Sequence, residues 1–248
     1  MDIKAFKMDG LGNDFVIIDQ RSQNYNLTKD QIIKICDRNF IGCDQLIFIQ
    51  KSEEKDAGLE FYNSDGSISG ACGNGTRCVA DLLSKENSDK EIILWTTSGA
   101  LKSQILGNNS VETEIGIAKT NWNEIPLNKN LDTKNLNIKI VNKNNIEHIG
   151  GTSVNVGNPH VVFFVDNIED YDLKKIGPEI ENHNYFPEKC NVTLAKVISK
   201  KLIKVKVWER GAGLTKACGT AACATAVAAN INGLTDKKTD IEFALGKL

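Results

Sequence analysis

The 248-residue sequence predicts an α+β protein made of two similar halves by internal duplication, with an alanine-rich helix central and sheet-wrapped in the second half. Three observations carry this. First, landmarks recur in one order. Gly12-Asn13-Asp14-Phe15-Val16-Ile17-Ile18-Asp19 reads like Gly157-Asn158-Pro159-His160-Val161-Val162-Phe163-Phe164-Val165-Asp166, at an offset of 145. Cys43-Asp44-Gln45 reads like Cys190-Asn191-Val192, and Ala71-Cys72-Gly73 like Ala217-Cys218-Gly219, at offsets of 147 and 146. Near-constant spacing over such a distance points to two units of domain size. Second, apolar runs of strand length recur through both halves. Third, the run from Ala221 to Ala229 combines the best helix former with side chains small enough for close packing.

The elements follow in order. Phe15–Asp19 is an apolar strand. Thr28-Lys29-Asp30-Gln31 forms a capping box that opens a helix to about Arg38, with Ile32, Ile33, Ile35 and Cys36 as its apolar positions. Leu46–Gln50 and Glu60–Tyr62 read as strands. A helix follows Cys72, with Cys78, Val79, Leu82 and Leu83 on its apolar side. Ile92–Thr97, Leu101–Leu106 and Val111–Ile117 complete the first half. The join lies between Lys119 and Asn145, where nine asparagines and Pro126 read partly as linker, and Leu136–Val141 as a candidate strand. Domains of 1–118 and 119–248 follow. In the second half Val161–Asp166 and Leu202–Trp208 are strands, and the alanine-rich helix follows Cys218. Ile241–Phe243 and the final Leu245-Gly246-Lys247-Leu248 mirror the stretch ending Ser98-Gly99-Ala100-Leu101. The second half stops where the first goes on to two more strands. That predicts an exposed sheet edge and low stability, checked by thermal melting against a C-terminally extended chain.

Composition narrows the function classes. The chain is 41% hydrophobic, enough for a sizeable core, and its 30 basic and 32 acidic residues give a net charge of −2. No basic excess favours nucleic acid or an anionic membrane surface. The start MDIKAFKMDG lacks the apolar stretch of a signal peptide, and no apolar run approaches a membrane span. Seven cysteines, an odd number without an export signal, read as a reduced, cytoplasmic protein.

Cys72 and Cys218 each sit at a helix start, where unpaired amides and the positive end of the helix dipole converge. Such a place lowers a thiol pKa and can also hold a carboxylate. Gly73 and Gly219 let a ligand approach the backbone. Pseudo-twofold packing of the halves would bring the two thiols face to face across a cleft. Two opposed thiols and a carboxylate cradle suit inversion at the α-carbon of an amino acid. A thiolate removes the α-proton from one face and a thiol delivers a proton to the other. The amides stabilise charge spread onto the carboxylate. This chemistry needs no cofactor or metal. Opposed thiols would also oxidise readily, so activity should fall in air and return with reductant.

Three rivals stand beside it. Cys72-x5-Cys78 with Cys218-x4-Cys223 could offer four thiolates to a metal, although zinc spacing is usually C-x2–4-C and Cys78 and Cys223 fall within helices. A thiol–disulfide enzyme would usually carry Cys-x-x-Cys, which is absent. A non-catalytic amino-acid binding module could use the same cleft without needing its thiols. No G-x-x-x-x-G-K-[ST] phosphate loop is present between Gly70 and Gly75 or elsewhere.

Gly10-Leu11-Gly12-Asn13-Asp14-Phe15, Asn63-Ser64-Asp65-Gly66-Ser67, Cys72-Gly73-Asn74-Gly75, Asn158-Pro159-His160, Phe186-Pro187 with Asn191-Val192, and Glu209-Arg210-Gly211-Ala212-Gly213 through Ala217-Cys218-Gly219-Thr220 together resemble the diaminopimelate epimerase family. The resemblance runs in order along essentially the whole chain. Proline racemases are a weaker match, since their first cysteine motif normally has His where this chain has Asn74. The resemblance implies two pseudo-symmetric α+β domains, each a mostly antiparallel, β-barrel-like sheet around a central helix. It implies interconversion of LL- and meso-2,6-diaminopimelate without pyridoxal phosphate, in lysine and peptidoglycan precursor biosynthesis, with a homodimer as the assembly. Cys72 and Cys218 match the acid–base pair. Gly73-Asn74 and Gly219-Thr220 match the groups that hold the reacting carboxylate. Asn13, Gln45, Asn63, Asn158, Asn191, Glu209 and Arg210 match substrate-binding positions, and His160 and Glu209 match polar residues that tune the thiols. Ala221 stands where the family often has Gly, which narrows that helix start, and Leu214 stands where Glu is common.

Overall fold

The computed structural model describes residues 3–70, 72–97 and 99–248; Met1, Asp2, Ala71 of the first cysteine motif and Ser98 of the mirrored ending lie outside the described residues. The chain divides into two compact units, Met1–Ile115 and Gly116–Leu248.

In the first unit, β1 (Ala5–Gly10) and β2 (Asn13–Asp19) form an antiparallel hairpin, and β2 runs parallel to β3 (Gln45–Gln50). The run Phe15-Val16-Ile17-Ile18 has no polar face, so it must be covered on both sides. Phe15 and Ile17 enter one core with Val79 and Leu83, while Val16 and Ile18 enter another with Ile32 and Cys36. The covering helices are α1 (Lys29–Cys36) and α2 (Gly73–Asn87). The expected capping box is present: Gln31 donates its amide to the Thr28 hydroxyl, and Thr28 donates its amide to the Gln31 side chain. The sheet continues through β4 (Ala57–Asn63), which also carries the short β5 (Ile68–Ser69), then β6 (Glu91–Thr96), β7 (Gly99–Gly107) and β8 (Ser110–Thr113). β4 and β6 are parallel, and the remaining pairs after β3 are antiparallel. α2 packs against β1 and β2 as well as β6, β7 and β8, so the sheet curls around it.

The second unit opens with a separate hairpin, β9 (Ile138–Val141) and β10 (Glu147–Gly150). It then repeats the first unit element for element. β11 (Thr152–Asn155), β12 (Pro159–Phe164), α3 (Leu173–Glu181), β13 (Asn191–Ser199), β14 (Leu202–Glu209), β15 (Gly213–Thr215), α4 (Gly219–Ile231), β16 (Asp240–Phe243) and β17 (Gly246–Lys247) follow the order of β1 through β7 with their helices. The parallel pairs recur at β12/β13 and β14/β16. α4 packs against β11, β12, β13 and β16. Its buried residues are alanines and Thr225, whose small side chains let the backbone lie close to the strands.

Strand register corrects one part of the repeat. Pairing Cys43-Asp44 with Cys190-Asn191 makes Asp44 the counterpart of Asn191. In the ladders, however, Phe15 lies opposite Gln45 and His160 lies opposite Asn191. Gln45 is therefore the counterpart of Asn191. Asn63, opposite Gln45, takes the same place as Glu209, which follows Trp208 opposite Val192. The first unit holds one more residue between its cysteine and its strand, which a motif alignment without register cannot show.

The asparagine-rich join is also corrected. Ile125, Leu127 and Leu136 are buried in the core of the second unit, and Trp122 and Leu131 pack against it. The polar composition around these scattered apolar residues masks a packed segment. β1 and α3 were not evident from pattern. β1 alternates but carries two charged side chains, Lys7 and Asp9, and α3 contains Gly177-Pro178, a pair that reads as a helix breaker.

Candidate active-site residues

Each curled sheet delivers the same set of positions to the start of its central helix. In the first unit, Cys72 is the residue before α2, with extended backbone (φ −143°, ψ 109°), and its carbonyl accepts the Thr76 amide at 2.8 Å. Gly73 and Asn74 form the first turn. Gly75 is needed for packing: a Cβ there would meet Ile47 at 2.7 Å and Phe61 at 3.0 Å. This glycine lets the helix start press onto the sheet, whereas a Cβ at Gly73 would meet only the Arg77 side chain, at 3.9 Å, so Gly73 is the open glycine of the motif.

Around half-buried Cys72 the hydrogen bonds converge on Asn13. Its Oδ1 accepts from the Cys72 thiol at 3.8 Å and from Asn74 Nδ2 at 3.2 Å. Its Nδ2 donates to Asp44 at 3.0 Å. Arg77 in turn donates to the Asn74 side-chain oxygen. Asp44 is itself held by Arg38, whose guanidinium forks onto both oxygens of Asp14 at 2.6 and 2.8 Å and reaches Asp44 at 2.5 Å. Although partial burial opposes it, the cations Arg38 and Lys7 hold the Asp14 carboxyl well below the usual carboxylate range. Gln45 donates to Asn63 at 2.9 Å, and Asn63 donates to Ser67 at 3.0 Å. Asn13, Asn74 and Cys72 thus form one hydrogen-bonded group, and Gln45 and Asn63 another. Asp44 and Arg38 were missed as orienting residues; the only signal for Asp44 was its place in the repeat.

In the second unit, Cys218 precedes α4 with matching extended backbone (φ −146°, ψ 117°) and is 6% exposed. Thr220 Oγ1 lies 3.3 Å from its sulfur. The expectation of a lowered pKa fails here. Burial and the adjacent Glu209 carboxylate raise the Cys218 pKa well above that of an ordinary thiol, and Thr220 and the Ala221 amide only partly offset them. Cys218 is therefore a thiol at neutral pH, because desolvation outweighs the helix terminus. Cys78, six residues beyond Cys72 in α2, is also pushed up, to about 12, mainly by burial in the core.

His160 is fully buried, and its Nε2 lies 2.8 Å from Asn158 Oδ1 and 3.5 Å from Asn191 Nδ2. Burial, with help from the charge of Arg210, lowers its pKa to about 3, so the imidazole is neutral. Its Nδ1 has no hydrogen-bond partner among the described residues. Asn191 donates to Pro159 O at 3.0 Å and accepts the Arg210 amide at 3.0 Å. The Arg210 guanidinium donates to Glu188 O at 2.7 Å. Asn158, His160, Asn191 and Arg210 form one connected group, and Glu209, Thr220 and Cys218 another.

The diaminopimelate epimerase family model matches residues 5–120 and 152–248. A diaminopimelate epimerase from Pelagibacter ubique is 78% identical over 248 residues, covering 100% of this chain and 90% of that protein. One from Phenylobacterium zucineum is 44% identical over 243 residues, covering 98% and 87%. Among solved structures, a probable proline racemase from Agrobacterium radiobacter aligns with a TM-score of 0.64 at 11% identity, over 99% of this chain and 87% of that chain, a likeness of fold.

Proposed function

The chain belongs to the diaminopimelate epimerase family, and from that premise we propose that Cys72 and Cys218 are the two proton-transfer groups of its reaction. The enzyme is an isomerase that interconverts LL- and meso-2,6-diaminopimelate in lysine biosynthesis. One observation carries the assignment of the thiols: each unit places a cysteine immediately before its central helix, with the same strand register behind it.

In this reading a thiolate takes the α-proton from one face, and a thiol returns a different proton to the other. Cys218 suits the donating role, since burial and Glu209 keep it protonated. Cys72 is then the base for that direction, and the roles exchange in reverse. The charge left on the substrate spreads into the carboxylate. First-turn amides at Gly73-Asn74 and Gly219-Thr220 oppose that charge more strongly as it grows, which is what speeds the step. Asn13, Gln45, Asn63, Asn158, Asn191 and Arg210 bind the substrate, Arg210 supplying the positive charge that a distal carboxylate requires. Neutral His160 and charged Glu209 set the proton affinity of the thiols. The chemistry needs no electron sink beyond the substrate carboxylate, so the enzyme works without a cofactor. A homodimer and a cytoplasmic location are proposed on the same family ground, to be read by sedimentation equilibrium and cell fractionation.

Turnover of LL-diaminopimelate in D2O tests the assignment. The unmodified enzyme is expected to place one deuterium at one α-carbon per event. Cys72→Ala and Cys218→Ala are each expected to lose at least about a thousandfold in kcat while still binding substrate by calorimetry. Turnover within tenfold of normal in either variant would remove that cysteine from the mechanism.

A further inference from the structure

Glu181, the last residue of α3, is a carboxylate only 6% exposed. Burying such a group is costly unless its oxygens are satisfied. Both are. Oε2 accepts the Trp208 indole N–H at 2.7 Å, and Oε1 accepts the Gly211 amide at 3.1 Å. Lys189 lies at the edge of contact, 4.0 Å away. One turn earlier on the same helix face, Gly177 lies flat against the indole: a Cβ there would meet Trp208 ring atoms at 2.5 Å. The helix therefore grips Trp208 by its face and by its edge.

The two groups that Glu181 holds flank Glu209 and Arg210. The first unit closes the matching turn in another way. There the Gly66 amide donates to Asn63 O, and the Asn63, Asp65 and Ser67 side chains tie the turn to itself. In the second unit the Ala212 amide donates to Glu209 O at 3.1 Å, but the side-chain ties come from Glu181, about thirty residues away in sequence. The position of Glu181 is occupied in the first unit by Cys36: Cys43 donates its amide to Cys36 O as Cys190 does to Glu181 O. A thiol suffices where the turn is locally tied, and a carboxylate stands where it is not.

We propose that Glu181 is a positioning residue for the epimerisation: by bridging Trp208 and Gly211 it fixes the turn that sets Glu209 against the Cys218 thiol and aims Arg210. This rests on Cys218, Glu209 and Arg210 acting as proposed above. Glu181 touches no reacting atom itself. A carboxylate suits the place because both partners are N–H donors; an amide of the same shape would turn its own N–H toward one of them.

Glu181→Gln tests this, with Trp208→Phe as a second variant that removes the indole donor and keeps an aromatic ring. Each is checked for folding by circular dichroism and assayed below its melting temperature. Two readouts are taken: kcat and KM for diaminopimelate, and the pH dependence of Cys218 alkylation followed by mass on its peptide. The groups facing that thiol are Glu209, Thr220 and the Ala221 amide. In whichever variant folds, kcat is expected to fall between about tenfold and a hundredfold. The alkylation curve is expected to move to lower pH, because the Glu209 charge is no longer held beside the sulfur. A purely structural Glu181 would lower the melting temperature and leave both readouts at normal values, and that result overturns the inference. Cys218→Ala run alongside separates the two levels. Turnover that survives in Cys218→Ala sinks the underlying assignment, whereas its loss beside a normal Glu181→Gln sinks only the role of Glu181.

Discussion

Asn13 can present either end of its amide to Cys72, and Asp44 decides which. A carboxylate accepts only, so Asn13 must turn Nδ2 toward it, leaving Oδ1 for the thiol and for Asn74. The Arg38 and Lys7 side chains are about half exposed, and as surface ion pairs they add little stability. Their contribution is to hold Asp14 and Asp44 in register behind Asn13. Asp44→Asn is expected to release the amide of Asn13 and lower kcat/KM about tenfold with little change in melting temperature. An unchanged kcat/KM would show that the orientation of Asn13 is irrelevant to turnover. This chain of side chains was not legible beforehand. Asp44 looked like the mate of Asn191, and only the strand ladder shows that Gln45 holds that place.

The two helix starts solve one packing problem with different residues. Gly75 faces Phe15, Ile47 and Phe61. By register the counterparts in the second unit are His160, Thr193 and Val207, each smaller. Room for a Cβ follows, and Ala221 occupies it at 1% exposure. The departure from glycine at 221 therefore narrows nothing; it fills space left by the sheet beneath. Gly75→Ala is expected to destabilise the protein by about 1–3 kcal/mol in urea unfolding, through overpacking against Ile47. Adding Ile47→Val should recover part of that loss. A Gly75→Ala protein as stable as the original would mean the sheet yields at no cost. The alanine run of α4 and the capping box of α1 could be read directly from sequence, since both depend on neighbours in the chain. α3 could not, because Gly177-Pro178 suggests an ending; its glycine is there for the Trp208 ring, a contact made across the fold.

Buried His160 links the site to the stability of the whole chain. Its folded pKa of about 3 lies below the ordinary value of 6.5, so the unfolded state binds more protons between those limits. Stability is therefore fully present above about pH 6.5 and falls as the pH drops toward 3. Between pH 7 and 5 the loss should be about 2 kcal/mol in urea unfolding, and His160→Gln should flatten that slope. Equal slopes would place the acid sensitivity elsewhere. The duplication, the two helix starts and the cysteines before them were readable in the sequence, because repeats, caps and helix formers are local in the chain. The fold class followed from them. The proton affinity of Cys218 was not readable: a helix terminus predicts a lowered value, and burial beside Glu209 reverses it. Nor could the sequence assign Glu181 to Trp208 and Gly211, or the asparagine-rich segment to a core. Those outcomes depend on which distant groups exclude water from one another, and only the packed tertiary structure decides that.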